Sequence, residues 1–108
     1  MKEIGLQTEG QVNIWKEKYG KVKLVKIKDG EKEYYAYLRR PDMKTMRVCA
    51  ALEKEGKSFE SAEVLVKNCL LNKNEEREKM MEDAVLFTQI ATALQGFFGE
   101  TQAEIKNL

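Results

Sequence analysis

Apolar and polar positions along this chain change period twice, from helical to alternating and back, and the changes divide it into elements. Val12, Trp15 and Tyr19 recur at helical spacing with Ile14 beside them, which predicts a first helix over residues 9–19. Thr8 and Gln11 stand where a capping box requires them, and Gly20 supplies the left-handed stop. Residues 21–28, KVKLVKIK, then alternate lysine with aliphatic side chains, the pattern of a strand with one wet face. Val22 and Leu24 share one parity while Val25 and Ile27 share the other, so a bulge or a change of face is expected near Leu24-Val25. Asp29-Gly30 predicts a type I′ hairpin turn. The return strand follows over residues 32–39, with Tyr35 and Tyr37 on one face and Tyr34, Ala36 and Leu38 on the other.

Pro41 has no N–H to give a sheet and steers Arg40 away from helix, so the strand must end there; Asp42 is the natural N-cap of a second helix. Over residues 43–55 the stripe Met46, Cys49, Ala50 and Leu52, with Met43 and Val48 at its margins, predicts that helix, which stops at Gly56. Ser58 is expected to cap a third, with Phe59, Ala62, Leu65, Val66 and Cys69 as its buried face, and the short turn between the two makes them a packed pair. After a polar break at residues 72–76, residues 77–95 predict one long helix whose apolar face carries Met81, Ala84, Val85, Phe87, Thr88, Ala91 and Leu94. It ends or kinks where Gly96 and Gly99 bracket Phe97-Phe98, and residues 100–108 add a last turn or stay mobile. Residues 1–7 show no periodicity and are expected to be a loose arm. Residues 8–108 then form a single α+β domain, a β-hairpin (about 21–39) packed with a bundle of about four helices.

Composition adds exclusions. A chain of 108 residues supports one core, and the absence of histidine removes the commonest general base and the commonest zinc ligand. No enzyme activity, cofactor or metal is therefore expected. Cys49 and Cys69 fall at apolar positions of two predicted helices and are expected as free buried thiols. No secretory leader pattern or membrane-length apolar run is present, which points to the cytosol.

The net charge of +1 hides a separation. Residues 21–47 hold nine cations against four carboxylates, whereas residues 74–108 hold three against seven. Such polarity suits head-to-tail association between copies, or a charged partner that meets one end. The basic hairpin interleaved with Tyr34, Tyr35 and Tyr37 is also the one constellation that resembles a nucleic-acid surface, cations for phosphates beside rings for bases, although strand tyrosines more often pack against each other. Glu75, Glu76, Glu78, Glu82 and Asp83 lack calcium-loop spacing and read as a solvated helix start. Adjacent aromatics on a helix point in different directions, so of Phe97 and Phe98 one is expected in the core and the other free for a partner. The expected contact residues are thus Lys26, Lys28, Arg39 and Arg40 on the hairpin, with Phe97 and Phe98 at the other end of the chain.

The strand ending Tyr37-Leu38-Arg39-Arg40-Pro41-Asp42, the helix EVLVKNCLL at residues 63–71, the acidic polar loop and the closing helix together resemble the small phage tail assembly chaperones and similar phage or prophage proteins. In these a strand pair with a "Y-x-(K/R)-x-P" type ending precedes a helical bundle. The resemblance spans residues 33–108. It implies a non-enzymatic protein of the bacterial host cytoplasm that coats an extended tape measure protein in several copies and keeps its apolar helices soluble. The reading from a different class is a small nucleic-acid-binding module using the same hairpin.

Overall fold

The computed structural model describes residues 2–108 and shows an α+β fold. Its elements, in order, are β1 (Lys2–Ile4), α1 (Glu9–Tyr19), β2 (Val22–Asp29), β3 (Lys32–Arg39), α2 (Met43–Lys54), α3 (Ser58–Cys69), α4 (Asn74–Glu82), α5 (Ala84–Leu94) and α6 (Gly96–Gly99). The sheet order is β1-β3-β2, with β1 parallel and β2 antiparallel to the central β3. The segment expected as a loose arm is therefore, over Lys2–Ile4, a strand paired with Lys32, Glu33 and Tyr34. Three residues are too few to show a period of two, and the pairing depends on a partner strand thirty residues away. Met1 lies outside the described residues.

β3 explains the layers. Five consecutive residues, Tyr34 to Leu38, are buried, which requires cover on both faces of the sheet. On one face Tyr34, Ala36 and Leu38 meet Ile4, Ile27, Val66, Leu86, Ile90 and Leu94 in the main core. On the other, Tyr35 and Tyr37 meet Trp15 of α1 and Leu71, with the Trp15 and Tyr37 rings 5.6 Å apart. The predicted division of the tyrosines between faces is the observed one. The expected bulge is not: β2 and β3 stay in register through eight pairs, from Val22↔Arg39 to Asp29↔Lys32. The mixed parity of β2 arises because both sheet faces offer apolar contact, Val25 and Ile27 to the main core and Val22 to the α1 side.

The hairpin turn is one residue on from the expected place. Asp29 pairs with Lys32, so Gly30 and Glu31 are its central residues, and only Gly30 has positive φ (63°). That is the type II′ pattern, with glycine first.

α2 begins where Asp42 accepts the Thr45 N–H at 2.8 Å and ends in a Schellman motif, in which Lys57 N–H donates to the Leu52 carbonyl and Gly56 N–H, at φ 77°, to that of Glu53. Ser58 does not cap α3: Lys57 takes that position, and the Ser58 hydroxyl donates to Glu53 instead. α2 and α3 are clipped together by Ser61, whose hydroxyl donates to the Cys49 carbonyl at 3.3 Å. Both cysteines are free and buried, as expected, and burial pushes the Cys69 thiol up to about 11 although the Arg39 charge pulls the other way.

The long closing helix is two helices. Asp83 leaves the helical conformation (φ −83°, ψ 118°) and its carboxylate accepts the N–H groups of Val85 and Leu86, restarting the chain as α5. The restart changes which face is buried: Met80 rather than Met81 is inside, Leu86, Phe87, Ile90 and Leu94 form the core stripe of α5, and Val85 is 68% exposed.

Behind the connector from α3 to α4 sits Asn72, 1% exposed. Its carbonyl oxygen accepts the Tyr37 N–H at 2.9 Å, and its amide donates to the carbonyls of Tyr35 (2.9 Å) and Gly5 (3.2 Å). One side chain thereby joins the end of β1, the middle of β3 and the connector. Leu70 and Leu71 continue the job by pairing with Leu38 and Tyr37, covering the edge of β3 that the short β1 leaves open.

Candidate functional site

The six expected contact residues do not form one surface. Lys26 and Lys28 project from β2 and are exposed, Lys26 lying over the Tyr35 ring at 5.6 Å. Arg39 is on the same sheet face, but pairs with Val22 while Lys28 pairs with Glu33. Six residues of strand, about 20 Å, separate the two ends. Arg40 is exposed beyond the strand. Arg39 is committed to structure: its Nε donates to the Asn68 carbonyl at 2.9 Å, its terminal nitrogen reaches Asp42 at 3.4 Å, and its guanidinium lies 5.0 Å from the Tyr19 ring centre. These contacts, with the Thr45 N–H foremost and Arg39 adding to it, hold the Asp42 carboxyl below its ordinary pKa.

The hairpin tyrosines face inward. Tyr34, Tyr35 and Tyr37 are 7%, 8% and 4% exposed, so none offers a ring face to a stacked base. Tyr35 also donates its hydroxyl to Glu33 at 2.6 Å, and that bond with its burial pushes the phenol up to about 12. The basic strand is partly neutralised from within the molecule. Lys21 and Lys23 both pair with Glu100 at the end of α6, and Lys23 also lies over the Phe97 ring.

Phe97 and Phe98 part as adjacent helical residues should. Phe97 is 3% exposed and belongs to the main core, which removes it as a contact residue; Phe98 is 48% exposed. Phe98 forms one wall of an apolar groove of about 360 Å³ between the α2–α3 pair and α5–α6. Met46, Cys49 and Ala50 enter it from α2, Ala62 and Leu65 from α3, and Ala91 from α5. Glu53 is the single charged residue of the lining. The groove exists because α2 packs on α3 and makes little contact with the rest of the molecule, so the predicted α2 stripe is covered only at Cys49, leaving Met46 half-buried and Ala50 exposed. Phe59, expected in the core, is 68% exposed and rests against Phe87 with ring centres 5.6 Å apart.

Sequence reasoning missed Ala62 and Ala91 as site residues, because an alanine reads the same at a packed position and at an open one. The available signal was the α2 stripe, broader than one partner helix could cover.

Among the described residues no cluster of three or more Cys, Asp or Glu is arranged to hold a metal ion, and no helix is long and apolar enough to cross a membrane. Comparison of the chain with protein-family models, with curated proteins and with solved structures gave no match.

Proposed function

We propose that this protein is a non-enzymatic interaction module, of the assembly-chaperone kind that its resemblance to phage tail assembly chaperones implies, and that it holds an amphipathic helix of an extended protein partner. The observation that carries this reading is the groove beside Phe98. An open channel between helices, lined by Ala50, Ala62 and Ala91 together with Met46, Leu65 and Phe98, matches the way a helix lays an apolar face into a groove. The small residues let the partner's side chains come close, methionine adapts to different ones, and the half-exposed Phe98 ring supplies an anchor. A tape measure-like client, long and rich in apolar helical faces, is a partner of that chemistry. The unequal charge of the two halves of the chain gives several copies along one client a means of ordering themselves head to tail.

The test is co-elution of the protein with the tape measure protein of the same genome, at moderate and at high salt. Retention at high salt, with loss in Phe98→Ala and in Ala62→Asp, is the expected result, because an apolar contact is not screened whereas a charge placed in the lining is disfavoured. Co-elution unchanged in Ala62→Asp removes the groove as the contact. Co-elution that disappears with salt transfers the contact to the exposed cations Lys26, Lys28 and Arg40.

A further inference from the structure

On the side of the sheet that α1 covers lies the larger concavity, about 680 Å³, bounded by α1, the end of β3, the C-terminus of α3 and the connector into α4. Four cations line it, from three parts of the chain: Lys18 of α1, Arg39 at the end of β3, and Lys73 and Arg77 at the start of α4. Among the described residues no carboxylate lines it. In a chain with almost equal numbers of acidic and basic residues, that segregation requires a tertiary cause.

The two arginines are set in place by the backbone. Arg77 donates from both terminal nitrogens, to the carbonyls of Leu70 and Lys67, while Arg39 donates to that of Asn68 and also pairs with Asp42, which lies outside the cleft lining, at 3.4 Å. Both guanidiniums therefore sit at the negative end of α3 and satisfy carbonyls that the helix leaves over. Capping accounts for these contacts, yet it leaves further guanidinium protons on each side chain and gives Arg77 no carboxylate partner among the described residues. Lys18, in the last turn of α1, suits the negative end of that helix in the same way, but neither it nor Lys73 makes an ion pair there, and the end of α3 gives no reason for Lys73.

α4 contributes its own polarity. Lys73 and Asn74 at its start line the cleft, and no side chain caps its first N–H groups. Its acidic residues Glu75 and Glu76 instead line a separate depression beside β1. Stacking is not on offer here. Trp15 is 5% exposed, and the Tyr19 ring already has Lys18 and Arg39 within 5.2 Å of its centre. Recognition in this cleft rests on charge and on N–H donors.

We propose that this cleft is a binding site for phosphate groups carrying several negative charges, with Arg39 and Arg77 as fixed donors and Lys18 and Lys73 as mobile cations closing over the ligand. Guanidinium groups held rigid by carbonyls lose little entropy on meeting oxyanions, and an uncapped helix start adds backbone donors. The source of the phosphates is a small polyphosphate or a nucleic-acid backbone. The site is independent of the apolar groove, since the two share no lining residue.

The experiment is a titration of the full chain, followed through backbone amide resonances, with inorganic tripolyphosphate and separately with a short oligothymidylate, at low salt and at raised salt. Saturable shifts confined to α1, the end of β3 at Arg39 and residues 68–77 are expected, with affinity falling steeply as salt rises. Lys18→Glu with Lys73→Glu, both exposed and outside the core, should weaken binding at least about tenfold, while Lys26→Glu with Lys28→Glu on the hairpin should change it less than about twofold. Saturation by tripolyphosphate with equal or weaker binding of the oligonucleotide assigns a small phosphorylated ligand; much tighter oligonucleotide binding assigns a nucleic-acid backbone. Shifts centred on β2, no saturable shift with either probe, or unchanged affinity in the Lys18/Lys73 variant overturns the proposal.

Discussion

Asn72 shows how a single polar side chain acquires weight from its position. In the sequence it opens a polar break and looks like any loop asparagine. In the structure it satisfies one backbone N–H and two backbone carbonyls that the adjoining strands leave over, at a depth where water does not reach. Asn72→Ala should therefore destabilise the fold by about 2–4 kcal/mol, read as a lowered midpoint of urea unfolding, because buried polar groups lose their partners. A midpoint within the scatter of surface substitutions is incompatible with this role. Gly5 is tied to the same place. Its φ is 88°, and a Cβ there would lie 2.7 Å from the Tyr35 carbonyl oxygen and 2.9 Å from the Asn72 amide. Neither residue carried a sequence signal, since turn glycines and loop asparagines are common and only the far ends of their contacts make these two special.

At the scale of elements, strand and helix existence was legible because period and punctuation agree. The Asp42 cap, the Gly56 Schellman ending and the Thr8 hydroxyl accepting the Gln11 N–H at 3.1 Å are all local events. The division of the long closing helix is equally local in chemistry but hidden in pattern. Asp83 sits where a continuous helix would carry it on a polar face, and only the backbone shows it acting as a cap. Asp83→Ala should remove both bonds to the start of α5 and cost about 1 kcal/mol, with amide shifts concentrated at Val85 and Leu86. Helical shifts running unbroken from α4 into α5 in the unaltered protein contradict the break. β1 was not legible because three residues gain their strand identity only from β3.

Across the whole molecule, the Cα radius of gyration is 15.3 Å and the longest dimension 55 Å. A compact chain of this length has a radius near ~13 Å. Two features extend the molecule: α2 packs chiefly on α3, which also opens the groove, and residues 101–108 run on exposed and without regular structure. The C-terminal segment is held to the sheet by Glu100, whose carboxyl is kept below its ordinary pKa by hydrogen bonds from Lys23 and then Lys21. A carboxylate with a lowered folded pKa stabilises above its unfolded value and ceases to as pH falls through the folded one. The clasp should thus be closed at neutral pH and open below the ordinary carboxylate range, with Glu100→Gln open throughout. Resonances of Lys21, Lys23 and Thr101 followed from neutral to acid pH report this. Their invariance, or a Glu100→Gln spectrum matching the unaltered protein at neutral pH, rules the clasp out.

By itself the sequence determined what depends on neighbours along the chain: the hairpin and the two faces of β3, the α+β class, the α2–α3 pair, the caps at Thr8 and Asp42, and the opposite fates of Phe97 and Phe98. Only the tertiary structure decided what depends on distant partners. It drew β1 onto β3, turned the hairpin tyrosines away from solvent, and set Arg39 and Arg77 on the end of α3. It also left the α2 stripe partly uncovered. Hydrophobic period tells which side of an element is apolar, but whether that side meets a core or an open groove depends on how much surface the packed partners can cover.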